Sequence, residues 1–447
     1  MNRCLHTLFT AQALWSNQTI NDHSANPMMT NKLRYTAAAV TALLLLHPSA
    51  QAQSSATTTA NATNLAQHQD FRGGQLEYSD QQSWYRELRL SDWQQLGLTQ
   101  DDLNQVLPRI HGTAALRDQI NPNENGFWTY EWSQQAQRIA AQAHATPASQ
   151  QAQTLALHQR ASALFLVASY PNHGSDAERA ALQQSVQHYV RASALRQQRV
   201  DIVNMPAANG IKLTGLLHLP TNISAPVATI LWTGGVDKTL VEHQHSLQRY
   251  LDSGYAVLTF DMPGGGLNET LPLAVGNEAA AHNAALAFVA QSPLLDANRV
   301  AALTSSGGGI SLMEFVLQNP SLKASVARCA LVDGVLTQPQ KFKFLPKMSV
   351  DSLFARFGLR FDELSNPGSY SIPLSLKTKG YFDGKPHTQV PLLVINTKAD
   401  RVASPADMHA TAALSSDSEV AFFGDAGHCP EGPAAEAKIY DFISSRL

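Results

Sequence analysis

The chain predicts an α/β fold: a mostly parallel eight-stranded sheet flanked by helices, preceded by an all-helical N-terminal domain. Three observations predict it. From Val200 onward, short apolar runs alternate with segments of helical pattern, the signature of strands joined by crossover helices. Between Trp84 and about Leu195, Ala, Gln and Leu recur at helical spacing and no strand run appears. Residues 299 to 309 pass from an apolar strand through Thr304, Ser305 and Ser306 into three glycines, and an apolar helix follows directly.

At the N-terminus, Lys32 and Arg34 precede an Ala- and Leu-rich run, Tyr35 to Leu46, and then His47-Pro48-Ser49-Ala50-Gln51-Ala52. A basic region, an apolar core and an A-x-A site read as a secretory signal peptide cut after Ala52, with Met28 or Met29 as its natural start. The apolar core is too short to span a bilayer, and no Cys follows it to accept a lipid. The expected location is therefore periplasmic or secreted, with no stable membrane insertion after signal removal. Residues 1–52 are assigned to the upstream extension and signal. Residues 53–75, rich in Gln, Ser, Thr, Ala and Asn, read as a flexible leader.

Residues 76–196 form the expected helical cap domain, with helical patterns at Ala136 to Ala143 and Ala177 to Leu195 and most of its aromatics (Trp84, Trp93, Phe127, Trp128, Trp132) destined for a core. Residues 197–447 form the expected catalytic domain. Its strands are read at Val200–Asn204, Leu213–Leu219, Val227–Trp232, Ala256–Phe260, Val300–Leu303, Ala327–Val332, Leu392–Asn396 and Val420–Phe423. Its helices are read at Leu240–Leu251, Asn277–Ala290, Ile310–Leu317 and Ala434–Leu447. Residues 335–388 are too long for a simple crossover and read as an insertion packing near the site.

The segment at 299–309 has the form of a nucleophile elbow, where a sharp turn holds the nucleophile in a strained backbone and the residues two before and two after it must be small. Ser306 fits, with Thr304 and Gly308 as those neighbours; Ser305 would place Leu303 where an isobutyl group has little room. Thr304 departs from the glycine of G-x-S-x-G, and a Ser- and Gly-rich turn also serves as a plain tight connection. In the α/β-hydrolase arrangement the carboxylate and the histidine follow the serine along the chain. Asp400 lies in the loop after the apolar run Val390 to Asn396, and His428 lies in a glycine-rich loop after the run Glu419 to Phe423. Asp425 and Asp333 are alternative carboxylates. The oxyanion of acyl transfer needs two aimed backbone N–H groups. Gly307 supplies one, and Gly235 or Val236, in the Thr233-Gly234-Gly235-Val236-Asp237 loop after the third strand, supplies the other.

Several classes are excluded or disfavoured. A net charge of −3 from 32 basic and 35 acidic residues gives no field for nucleic acid. Sixteen histidines occur without H-E-x-x-H, and His243 and His245 fall on different helix faces, so neither metal nor other cofactor is expected. Gly264-Gly265-Gly266 lacks the Lys and Ser/Thr of a P-loop. Of the three cysteines, Cys4, Cys329 and Cys429, none is spaced for zinc, and Cys329 and Cys429 are taken as free thiols. The expected partner is a small-molecule substrate, and a homodimer is compatible with the sequence.

Leu231 to Asp237, Tyr255 to Gly264, the elbow, and a helix ending in Ala168-Ser169-Tyr170-Pro171 together resemble the FrsA-like α/β-hydrolases, over about residues 80–447. The resemblance implies an α/β-hydrolase fold with a helical cap, an active site between cap and core, and triad roles on Ser306, Asp400 and His428. The expected chemistry is hydrolysis of a carboxylic ester through an acyl-enzyme. C–C bond hydrolysis of a β-diketone-like compound and an inactive binding scaffold are the alternatives.

Overall fold

The computed structural model describes residues 89–110, 124–170, 174–223, 226–360, 364–425 and 427–447. The expected signal peptide, its cleavage site, the leader and Trp84 lie outside the described residues. All described residues fall in one compact unit.

The helical part contains α1 (Leu90–Leu96), α2 (Gln100–Val106), α3 (Trp128–Ala145), α4 (Gln151–Ala168) and α5 (Asp176–Leu195). In α3, Trp128, Trp132, Ala136, Ile139, Ala140 and Ala143 are buried, a single face at three- and four-residue spacing. Trp93, Trp128 and Trp132 are fully buried in the core they share with α4. Capping boxes, Thr99 with Asp102 and Ser175 with Glu178, satisfy the first N–H groups of α2 and α5.

The sheet runs in the order β1-β2-β4-β3-β5-β6-β7-β8. Its strands are β1 (Val200–Pro206), β2 (Lys212–His218), β3 (Val227–Thr233), β4 (Ala256–Phe260), β5 (Leu295–Ser305), β6 (Ala324–Arg328), β7 (Leu392–Asn396) and β8 (Ser418–Phe422). β2 pairs antiparallel with both neighbours and every other pairing is parallel, so β2 alone runs against the rest. This is the α/β-hydrolase fold. β4 and β7 are buried along their whole length and β3 along all but its first residue, as parallel strands covered on both faces must be. Covering helices include α6 (Gln248–Asp252), α7 (Ala280–Gln291) and α8 (Gly309–Gln318). Residues 335–388 contribute α9 (Lys347–Ala355) and α10 (Gly368–Ser371), and α11 (Pro405–Ala412) and α12 (Pro433–Ser444) complete the chain.

Among the elements that differ from expectation, the fifth strand spans Leu295–Ser305 rather than Val300–Leu303. The sixth strand ends at Arg328, not Val332, because Cys329 turns into the left-handed region at φ 45° and Leu331 gives its N–H to Ser306 instead of a ladder partner. The expected helix 240–251 is a 3₁₀ turn, Leu240–His243, and the short α6; the free N–H of Leu240 at the start of the turn is taken by the buried Asp261 carboxylate.

The helical part and the rest of the chain meet in several places, Arg179 with Glu269 and Asp92 with Lys238 among them. Val186 and Tyr189 of α5 pack with Val200 and Leu216 of the first two strands. Tyr170, just past α4, donates its hydroxyl to the Asp237 carbonyl and bonds the Glu242 carboxylate, which also pairs with Arg89. Met348 of α9 belongs to the same core as the cap tryptophans.

Candidate active site

The chain from β3 leads to β4 on one side of the sheet, while β5 leads to β6 on the other. That switch opens a crevice beyond the carboxyl ends of β3 and β5, the usual ligand position in such sheets. Ser306 stands at that point, between β5 and α8, with φ 52°. A non-glycine residue there is uncommon and marks a turn held by its surroundings. The surroundings are tight: a Cβ on Gly308 would lie 2.1 Å from Thr304 Oγ1 and 2.2 Å from the Gly234 carbonyl oxygen, and one on Gly309 would lie 2.5 Å from the Ala330 Cβ. Thr304 is accommodated because its buried hydroxyl donates to the Thr233 carbonyl at 3.1 Å.

Ser306 Oγ lies 2.6 Å from His428 Nε2, and His428 Nδ1 lies 2.8 Å from Asp400 Oδ2. A carboxylate can only accept from the imidazole, so Nδ1 carries the proton and Nε2 presents its lone pair to the serine. The Asp400 side chain is fully buried, and its other oxygen accepts from the N–H groups of Val402 and Ala403 at 2.7 and 3.2 Å. The alternative carboxylates are engaged elsewhere. Asp333 accepts from Ser375 at 2.5 Å, and the exposed Asp425 pairs with Lys398 at 2.9 Å.

The 234–238 loop lies over the serine: a Cβ on Gly235 would sit 3.0 Å from Ser306 Cβ, and one on Gly307 would sit 2.3 Å from Val236 Cγ1 and 3.3 Å from the Val236 nitrogen. The structure thus brings Gly235, Val236 and Gly307 together around Ser306. The loop is clamped by Arg356, at the end of α9, whose buried guanidinium donates Nε to the Val236 carbonyl at 2.9 Å and Nη1 to the Gly264 carbonyl at 3.2 Å. Burial pushes the Asp261 carboxyl up to about 7, against the N–H of Leu267, the charge of Arg356 and the N–H of Leu240, which favour its charged form. Gly264, Gly265 and Gly266 exist for this packing: a Cβ on Gly264 would fall 1.9 Å from the Arg356 carbonyl oxygen, and one on Gly266 1.9 Å from Asp261 Oδ2. Behind the loop, burial holds His243 down to about 3, so it is neutral at physiological pH.

Cys329 and Cys429 are joined in a disulfide, their Cα atoms 4.9 Å apart, which corrects the expectation of free thiols. Separated by 100 residues in sequence, they meet because the end of β6 and the loop after β8 converge on the same edge of the sheet. Together with His428 they form the one group of metal-ligating type found among the described residues, and its two sulfurs are already bonded to each other.

The family described as Esterase FrsA-like matches residues 36–423. This chain belongs to the FrsA-like esterase family. As a member it is a hydrolase. Its relatives include Esterase FrsA of Vibrio cholerae serotype O1, 28% identical over 346 residues that span 75% of this chain and 81% of the relative. Esterase FrsA of Pectobacterium atrosepticum is 27% identical over 314 residues, 68% of this chain and 75% of that one. Among solved structures, the 2,6-dihydroxy-pseudo-oxynicotine hydrolase superposes with a TM-score of 0.57 at 18% identity, covering 80% of this chain and 95% of its own. Wild-type AbyA5 gives 0.60 at 19%, with the same coverage. At such identities the likeness carries the fold alone.

Two features of this FrsA-like site escape sequence reasoning. Arg356 sits in Phe354-Ala355-Arg356-Phe357, with no local sign that its side chain turns inward. The disulfide had one available sign, a cysteine directly after the candidate base.

Proposed function

We propose that this FrsA-like hydrolase is an exported serine esterase acting on small carboxylic esters. The observation that carries the reading is the continuous relay of 2.6 and 2.8 Å from Ser306 through His428 to Asp400 at a strained strand-to-helix turn. Ser306 Oγ attacks the ester carbonyl carbon as its proton passes to His428 Nε2, and Asp400 stabilises the imidazolium and fixes the ring. The carbonyl electrons move to oxygen, which faces the N–H groups of Gly307 and of Val236, with Gly235 as the alternative donor. Collapse expels the alkoxide, which takes the proton from His428; water then repeats the sequence on the acyl-enzyme and frees the acid. No cofactor enters either step. Export is supported by the N-terminal basic-apolar-small segment and by the disulfide, a bond that persists in oxidising compartments.

The test is intact-mass labelling by a fluorophosphonate, with turnover of short p-nitrophenyl esters in parallel. One adduct on the native protein, lost in Ser306→Ala together with a fall in kcat on the order of 10⁴-fold or more, is the expected result. A folded native protein that takes no adduct and turns over no ester refutes the triad.

A further inference from the structure

We infer that the Cys329–Cys429 disulfide is a positioning element for His428, so that the rate of ester hydrolysis depends on its being closed; this rests on the triad reading above. His428 lies in a loop with little regular structure of its own, between β8 and α12, where Gly424, Gly427 and Gly432 all take positive φ (78°, 105° and 95°). Such a loop does not hold an imidazole to a few tenths of an ångström by itself. Beyond the bonds of Phe423 and Gly424 to Asn396 and Lys398, which continue the pairing of β8, three links from outside tie its backbone down near His428. Thr397 donates its hydroxyl to the Gly427 carbonyl at 2.7 Å, Arg328 donates to the Pro430 carbonyl, and Cys429 is bonded to Cys329. The covalent link falls on the residue directly after the base.

Its other end is immobile. Cys329 is fully buried and gives its N–H to the Ile395 carbonyl at 2.7 Å, the last tie of β6 to β7. Two residues on, Leu331 donates its N–H to the carbonyl of Ser306 itself at 2.8 Å, and Ala330 lies against Gly309 of the elbow. The segment from Arg328 to Leu331 therefore holds both partners of the proton transfer, the nucleophile by a backbone bond and the base through the disulfide. Both cysteines adopt left-handed backbone, φ 45° and 73°, which β-carbon-bearing residues avoid unless the surroundings impose it.

Cys429 is only partly buried, so a small dithiol can reach the bond. Exchange leaves a thiol on each of Cys329 and Cys429, and the reductant's two sulfurs, having given up two electrons and two protons, close into its own disulfide. The loop then keeps Thr397 and Arg328 but loses the tie beside the base, and Nε2 is no longer held against Ser306 Oγ. Misplacement of a reacting group by about an ångström costs up to roughly a hundredfold in rate, an effect that falls on kcat more than on KM.

The experiment treats the purified native protein with dithiothreitol in the presence of a chelator, since the freed sulfurs and a His428 nitrogen lie within 4.8 Å of one another and would trap soft metal ions. Alkylation and intact mass count the thiols, far-UV circular dichroism checks the fold, and kcat, KM and the rate of fluorophosphonate labelling are read before reduction, after it and after reoxidation. Two new thiols, an unchanged spectrum, a loss of at least about tenfold in kcat and in labelling rate with KM less affected, and recovery on reoxidation are expected. The double variant Cys329→Ala/Cys429→Ala should match the reduced protein and ignore dithiol. A reduced protein, or a folded double variant, whose kcat stays within about twofold of the oxidised protein overturns the inference, as do free thiols at Cys329 and Cys429 in the fully active purified protein. If the oxidised protein takes no label at all, the triad fails first, and the inference falls with it.

Discussion

At the residue scale, the elbow shows how one side chain decides what its neighbours can be. Thr304 takes the place where a glycine is common, and its hydroxyl, bonded to the Thr233 carbonyl at 3.1 Å, fills the space above Gly308. With that space filled and the Gly234 carbonyl on the other side, Gly308 has no room for a methyl group. Gly308→Ala is expected to cost about 1–3 kcal/mol through overpacking and to displace Ser306, read as a lowered urea midpoint and lost fluorophosphonate labelling. Thr304→Ser keeps the hydroxyl and the bond, and its kcat should stay within about threefold of the parent. A Gly308→Ala protein as stable and as readily labelled as the parent would show that the elbow relaxes more freely than its contacts allow.

At the element scale, the 234–238 loop is held from three sides, by Tyr170 at the end of α4, by Ser349 of α9 through Asp237 at 2.9 Å, and by Arg356. Arg356 matters most for the proposed oxyanion donors, because its planar fork spans the carbonyls of Val236 and Gly264 at once. Lysine carries the charge without the fork. Arg356→Lys is therefore expected to lower kcat by roughly tenfold to a hundredfold with a smaller change in KM, the pattern of an interaction made in the transition state. Steady-state kinetics on p-nitrophenyl esters check this, and a rise in KM with kcat unchanged would assign Arg356 to substrate binding instead. The same element explains why a glycine triplet that superficially suits phosphate is present: the Arg356 backbone, its guanidinium and the Asp261 carboxylate occupy the volume that side chains on Gly264, Gly265 and Gly266 would need.

At the scale of the whole molecule, buried histidines set the response to acid. Burial holds His218 at about 4 and His243 and His282 at about 3, well below the usual imidazole value. In the unfolded chain each takes up a proton near pH 6.5, whereas the native state refuses it until far lower pH. Their contribution is complete above about pH 6.5 and is lost as pH falls from there toward 3 to 4. Asp261, held up at about 7, works in the opposite direction by binding a proton in the native state that the unfolded state releases, but it is one group against these three and the buried pair His158 and His188, whose values burial also lowers. Stability measured by urea unfolding should therefore fall from pH 7 to pH 5. His282 is the cleanest probe: its ring sits between Phe260 and Phe315, and neither ring nitrogen has a hydrogen-bond partner among the described residues. His282→Leu should flatten the acid slope while leaving esterase activity near that of the parent, and an unchanged slope would place the acid sensitivity elsewhere.

What the amino-acid sequence determined by itself is what depends on neighbours along the chain. Apolar runs of strand length placed all eight strands in order, and the match was close where both faces are buried, as at β4 and β7, because such strands admit little besides aliphatic residues. A serine between a strand and a glycine cluster marked the elbow, because the turn's sterics act within two residues on either side. The loops carrying Asp400 and His428 were legible for the same reason, as polar residues directly after apolar runs. Residue pattern by itself did not separate Asp333, Asp400 and Asp425, which all follow apolar runs; the family resemblance pointed to Asp400, and the tertiary structure puts its carboxylate against the histidine. The tertiary structure alone decided that strand β6 stops at Arg328, that Cys329 meets Cys429 across 100 residues, and that Arg356 turns inward onto Val236. Each of those depends on contacts between segments distant in sequence, where local pattern carries no distance information.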